Sequence, residues 1–130
     1  MASNVSGQLL WELVKGHNSF VRKNLHGNIF SAEKGNLYAK HSYKYSGIVN
    51  SQAVDIREGA TGGVDISVKR AKTVSKPASA VHKVTSKKGA RRAIAAVRKQ
   101  VGSYRPDLQS AAVARVSAVH RALRAKAAKK

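Results

Sequence analysis

Apolar and polar positions alternate with several different periods along the chain, and each period predicts an element. Leu9, Leu10, Leu13 and Val14 recur at helical spacing around Trp11. Ser6 can cap the start and Gly16 can supply a left-handed residue at the end, so a short helix is expected over residues 6–15. Residues 19–23 and 28–32 are two short runs that carry Phe20, Val21, Ile29 and Phe30, separated by the turn formers Asn24, Gly27 and Asn28. They predict a hairpin. Val54 and Ile56 alternate with polar residues, and Val64, Ile66 and Val68 do so again beyond Gly59, Gly62 and Gly63, the pattern of a second antiparallel pair with one buried face.

After Arg70 the pattern dissolves. Residues 71–85 hold Ser, Thr and Lys around Pro77, with Val74, Val81 and Val84 too sparse to build a face, which predicts an extended connector. Helical spacing returns with Ala90, Ile94, Val97 and Val101, for which Ser86 is the expected cap and Gly102 the expected stop. A last helix is expected from Pro106, a residue suited to a first helical position, with Asp107 in its first turn and a stripe of Leu108, Ala112, Val116, Val119 and Leu123. The short linker at 102–105 predicts an antiparallel helical hairpin with closely packed alanine-rich faces. The tail from Arg124 holds four bases in seven residues and is expected to fray unless phosphate holds it. The fold class is therefore α+β. A small module over 1–70 has a short helix and a small antiparallel sheet, an extended basic connector spans 71–85, and two basic helices with a frayed tail occupy 86–130.

Composition narrows the function. The chain has 130 residues, and 25 Lys and Arg against 6 Asp and Glu give a net charge of +19. Residues 1–65 hold seven bases and five acids (+2), whereas residues 66–130 hold eighteen bases and only Asp107 in opposition (+17). Internal salt bridges cannot account for such an excess, and nucleic acid is its ordinary partner. Alanine supplies much of the 42% hydrophobic content, so the core is expected to be thin and partly completed by the partner. The absence of Cys excludes disulfides and thiolate chemistry. The first residues lack the basic start and long apolar run of a signal peptide, and no stretch approaches a membrane span, so a soluble intracellular protein is expected.

Chemistry-bearing residues are few. The acids Glu12, Glu33, Asp55, Glu58, Asp65 and Asp107 form no recognisable acid–base pair, the five histidines lack zinc-ligand spacing, and the glycines at 59, 62 and 63 lie between two strands rather than at a phosphate loop. No enzyme, metal, cofactor, small-molecule substrate or membrane partner is therefore expected. The positive signal lies in the bases. Between residues 38 and 45 three tyrosines alternate with Lys40, His41 and Lys44, so Tyr43 and Tyr45 can stack on bases or pack on the sheet. Lys87, Lys88, Arg91, Arg92, Arg98 and Lys99 face away from their helix's apolar stripe with no acid among them, the arrangement expected of a phosphate-binding face. Arg22, Lys23, Lys69, Arg70, Lys72, Lys76, Arg121 and Arg124 complete the candidate cations.

Particular strings resemble one family. Residues 19–23 (Ser-Phe-Val-Arg-Lys), 30–33 (Phe-Ser-Ala-Glu) with Asn36 and Leu37, and 42–47 (Ser-Tyr-Lys-Tyr-Ser-Gly) are similar to the N-terminal half of the eukaryotic large-subunit ribosomal protein 28e family. Residues 104–108 (Tyr-Arg-Pro-Asp-Leu), followed by Ala111, Ala112, Arg115, Ser117 and Ala118, are similar to its later signature, and Lys76 with Pro77 resembles its connector. The resemblance runs from Ser6 to Arg124, with two departures: Lys34 and Gly35 stand where a proline-containing turn is expected after Glu33, and the tail after Arg124 is shorter than in members with long basic extensions. It implies a structural protein of the cytosolic large ribosomal subunit, assembled in the nucleolus, that binds ribosomal RNA beside neighbouring ribosomal proteins. It also implies that Tyr43, Lys44, Tyr104, Arg105 and Arg115 matter for RNA or for the fold. A nucleolar assembly family is similar over the N-terminal module alone, so the alternative is a transient ribosome-assembly or chromatin-associated factor.

Overall fold

The computed structural model describes residues 5–60, 62–70, 76 and 79–129. Helix α1 (Gly7–Val14) is followed by a two-stranded antiparallel sheet of β1 (Val21–Lys23) and β2 (Ile29–Ser31). A long irregular loop leads to a three-stranded antiparallel sheet of β3 (Val54–Glu58), β4 (Val64–Lys69) and β5 (Val81–Ser86). Helix α2 (Ala90–Tyr104), a 3-10 turn (Pro106–Leu108) and helix α3 (Gln109–Ala128) complete an α+β fold.

The two alternating runs pair in the register that their period demands. Val54 lies opposite Val68, Ile56 opposite Ile66 and Glu58 opposite Val64, so Val54, Ile56, Val64 and Ile66 present one apolar face. That face is covered by Ala93, Val97 and Val101 of α2 and by Ala111, Ala112, Val116 and Val119 of α3, with Leu108 between the helices and Leu37 reaching in from the loop. Alanines at the contact let the helices approach each other closely. The main core thus draws on both halves of the chain.

Several boundaries differ from the sequence expectation. The second part of the connector is not an irregular extended segment: residues 81–86 pair with β4 from Lys69 opposite Val81 to Val64 opposite Ser86. The strand buries little, with Val81 and Val84 exposed, so apolar burial does not hold it; the ladder of backbone hydrogen bonds on the free edge of β4 does, together with polar side-chain links to Asp65. Ser86 consequently ends β5 instead of capping α2, whose N-cap is Gly89. Gly102 does not stop α2, which continues to Tyr104; a Cβ there would lie 2.9 Å from Gln109 Nε2, so the missing side chain leaves room for the Gln109 amide, which donates to Arg98 O at 3.1 Å. Ser6 does cap α1, its hydroxyl accepting from Leu9 N at 3.2 Å, but Gly16 is not left-handed, and the apolar side chains Leu9 and Leu13 stay exposed. The tail is helical to Ala128, tied to the sheet by an ion pair between Lys126 and Glu58. Lys72, Val74 and Pro77 lie outside the described residues.

The departure at 34–35 has a backbone reason. Gly35 adopts φ +84°, which proline cannot, and it packs on Gly47, where a Cβ would meet Lys34 O at 2.1 Å. Beneath this crossing, Glu33 is 4% exposed and accepts from Asn36 Nδ2 (3.1 Å), Ser46 Oγ (3.0 Å) and Ile48 N (3.4 Å).

Buried Asp65 fastens β5 to β4: Lys83 Nζ lies 2.7 Å and Thr85 Oγ1 2.6 Å from its carboxylate. These two donors, Lys83 foremost, hold the carboxyl below its ordinary 3.8. A depressed folded-state pKa contributes stability above the unfolded value and loses it as pH falls through the folded one. Urea unfolding of the wild type and of Asp65→Asn should therefore show a constant stability gap above about pH 5 that narrows below about pH 4; a gap independent of pH would mean that the carboxylate charge is not what binds β5.

Candidate nucleic-acid interface

All six acidic residues are committed. Glu12 pairs with Lys15, Asp55 with Arg57, Glu58 with Lys126, Asp65 with Lys83 and Asp107 with Arg105, while Glu33 is held by amide and hydroxyl donors inside the loop. None is left to neutralise α2. Arg91, Arg92, Arg98 and Lys99 are exposed on its solvent side, and Lys87 and Lys88 are exposed in the turn that precedes it. Arg91 and Arg98, like Arg92 and Lys99, are separated by seven residues, two helical turns or about 10 Å, so they form two parallel rows of cations.

Two shallow grooves run between these rows and their surroundings. One is lined by Arg91, Ile94, Arg98, Lys99 and Gln109. The other, lined by Thr85, Lys87, Lys88, Gly89 and Arg92, lies at the start of α2, where the N-cap Gly89 has no side chain to satisfy the first amide groups. Amide donors, the positive end of the helix dipole and three cations meet at that groove, an environment that favours phosphate oxygens. Arg121 and Arg124 are exposed cations on α3.

The remaining candidate residues divide into exposed cations and inward-turned anchors. Arg22 and Lys23 on β1, Lys40, Lys44 and Lys76 are exposed; Lys40 Nζ lies 5.7 Å from the Tyr38 ring and Lys44 Nζ 5.6 Å from the Tyr45 ring. Arg70 is exposed at the end of β4, its amide bonded to Ala80 O at 2.7 Å. Lys69, by contrast, sends its ammonium to the carbonyls of Gly47 (3.1 Å), Ile48 (3.4 Å) and Asn50 (2.9 Å). Burial lowers the pKa of that ammonium, against the opposing pull of Glu33. Arg105 donates to Gln52 O (3.0 Å) and Lys44 O (3.2 Å) and holds the Asp107 carboxyl below its ordinary pKa. Tyr104 donates to the Lys69 carbonyl, and burial raises the pKa of its hydroxyl. Arg115 Nε donates to Ile56 O at 3.2 Å.

Residues 104–108 are thus the joint between the helical hairpin and the N-terminal half. The tyrosine segment also has an internal role: Trp11 packs on His41 at 5.1 Å and on the edge of Tyr43 at 6.2 Å, and His41 Nε2 bonds to Lys15 O at 2.8 Å, which docks α1 on the loop. Tyr45 packs against the main core and meets Tyr38 edge to face. No pattern in the sequence discloses the anchoring of Glu33 or the pairing of Lys126 with Glu58; only the Asp65–Lys83 link leaves a readable trace, an acid at the second position of β4 and a base in a β-branched run.

Among the described residues no helix is long and apolar enough to cross a membrane, and no group of three or more His, Asp or Glu side chains is placed to hold a metal. Comparison with known proteins agrees with the strings in the sequence. Residues 9–122 match the model of the ribosomal L28e protein family. Large ribosomal subunit protein eL28 of Dictyostelium discoideum is 36% identical over 121 residues, covering 92% of this chain and 90% of that protein. The protein of the same name from Schizosaccharomyces pombe is 30% identical over 122 residues, covering 89% and 91% respectively. With a family match across most of its length and relatives aligned nearly end to end, the chain belongs to the ribosomal L28e protein family.

Proposed function

We propose that the chain is a structural constituent of the cytosolic large ribosomal subunit that binds folded ribosomal RNA and neutralises its phosphates during translation, after joining the particle in the nucleolus. The observation that carries this function is the commitment of every acid elsewhere in the fold, which leaves Lys87, Lys88, Arg91, Arg92, Arg98 and Lys99 as a rigid cationic surface without an internal counter-charge. Arg121 and Arg124 on α3, together with Arg22, Lys23, Lys40, Lys44, Arg70, Lys72 and Lys76, supply further phosphate contacts. Tyr43, Tyr45 and His41 support the loop that carries Lys40 and Lys44. Lys69, Tyr104, Arg105 and Arg115 act by holding that surface in place against the N-terminal half.

The mechanism is electrostatic and geometric. A helix face fixed by a packed core brings several cations to neighbouring phosphates at once, and each contact releases condensed counterions. RNA segments that would repel one another can then lie on either side of the protein. The relatives carry the name of a large-subunit protein, which favours ribosomal RNA over other polyanions.

The test is retention in purified large subunits through a high-salt wash, with stoichiometry measured by quantitative mass spectrometry and contacts mapped by crosslinking. One copy per subunit is expected, with crosslinks from residues of the β5–α2 turn to ribosomal RNA. Substoichiometric nuclear recovery with release at moderate salt would instead identify an assembly or chromatin factor.

A further inference from the structure

We propose that the outer face of the β1–β2 hairpin is a stacking platform for unpaired RNA bases, built from Phe20 and Phe30 with Arg22 and Lys40; this rests on the RNA-binding function proposed above. The strand register brings the four together. Arg22 lies opposite Phe30, Ala32 N donates to Phe20 O at 2.9 Å, and a bridge joins Phe30 to Lys40. Directly opposed residues in an antiparallel pair share a face, and residues two apart along a strand do so too. Phe20, Arg22, Phe30 and Lys40 therefore stand on one side of the hairpin, while Val21 and the buried Ser31 stand on the other.

The two rings are not core residues. Phe20 is 42% and Phe30 44% exposed, an apolar display that marks an interaction surface when it is contiguous. Its chemistry favours nucleic acid over polypeptide. Residues 18–32 contain no acid, and the next one, Glu33, points inward onto Asn36 and Ser46. Rings interleaved only with cations match a ligand that offers π-faces and negative charge together, as unpaired nucleotides do. Lys40 already lies over the neighbouring Tyr38 ring, whose exposure extends the platform.

Unpaired bases can stack on such a surface and paired ones cannot, which separates this site from the phosphate-binding face of α2. The full chain is titrated with oligouridine and with an RNA duplex of the same length. Phe30→Leu should weaken oligouridine binding about tenfold, the loss of one stacked base, and change duplex binding by roughly twofold at most. Phe30→Tyr should restore oligouridine binding. Circular dichroism should show both variants folded, since the ring is at the surface.

Equal losses on both RNAs, or no loss on oligouridine, would overturn the platform. If Phe30→Leu spared RNA binding but released a neighbouring protein from purified subunits, the face would be a protein contact and the platform equally overturned. Failure of the function itself reads differently: the wild-type chain would bind neither RNA. Binding of both that is weakened by Arg91→Glu with Arg92→Glu, yet untouched by Phe30→Leu, would remove the platform and leave the function standing.

Discussion

Arg91→Glu combined with Arg92→Glu is expected to weaken binding to large-subunit ribosomal RNA by about 100-fold near physiological salt, with the fold intact. Both side chains are exposed, beside the buried Ala93 and opposite the stripe that continues through Val97 and Val101. Neither pairs with an acid in the structure, so reversal breaks no internal bond. The substitutions fall in the first turn of α2, where negative charge meets the positive end of the helix dipole, so helix stability should hold or rise by about 0.5 kcal/mol. The two properties are therefore expected to move apart, which a general loss of structure could not produce. Binding measured across a salt series should also show a log–log slope shallower by about two, one for each lost phosphate contact. Unchanged affinity would place the RNA surface elsewhere, and loss of helix content would show that these residues are not on the solvent face.

How far the sequence discloses this surface depends on what each residue's role rests on. The stripes of α2 and α3 and the β3–β4 pair are legible because burial on one side imposes a period, and a one-residue slip would turn Ile56 and Ile66 to solvent. β5 is illegible for the opposite reason: with Val81 and Val84 exposed it has no buried face to impose a period, and its order comes from backbone groups that every sequence has and from polar links to Asp65, which leave no periodic pattern. The helical spacing of Leu9 and Leu13 correctly indicates α1, yet Leu13 is 68% exposed, since spacing reports a face and not what covers it. Gly102 shows that a glycine near a helix end can lie inside the helix and make room for a neighbouring side chain, here the Gln109 amide, instead of marking termination. Among the cations the ambiguity is chemical. Phosphate oxygens and backbone carbonyls both want N–H donors, so Lys69, Arg105 and Arg115, turned onto carbonyls, read in the sequence just like Lys87 or Arg92. Only the fold separates those that shape the surface from those that form it.

Glu33→Ala is expected to destabilise the protein by about 3 kcal/mol, a substantial share of the roughly 5–15 kcal/mol that holds a domain together. The carboxylate gathers the loop between β2 and β3 by accepting from Asn36 Nδ2, Ser46 Oγ and Ile48 N. Its removal leaves Asn36 with the Lys40 carbonyl but strips Ser46 and Ile48 of a buried acceptor. It also leaves the partly buried Lys69 ammonium without the negative charge that favours its protonated form, although its three carbonyl partners remain. The damage should reach the joint with the helices, since Lys69 O receives the Tyr104 hydroxyl and the Lys44 carbonyl receives Arg105. Glu33→Gln retains one oxygen acceptor and should lose about half as much, because the charge-assisted share of each bond is lost and the acceptor is not. Urea unfolding of the three proteins gives the order wild type, Gln, Ala; hydrogen exchange should quicken first at the amides of Ile48 and Val49. A cost below about 1 kcal/mol for Glu33→Ala would mean that water or a neighbouring oxygen satisfies these donors and that the loop is held by the packing of Gly35 on Gly47 instead.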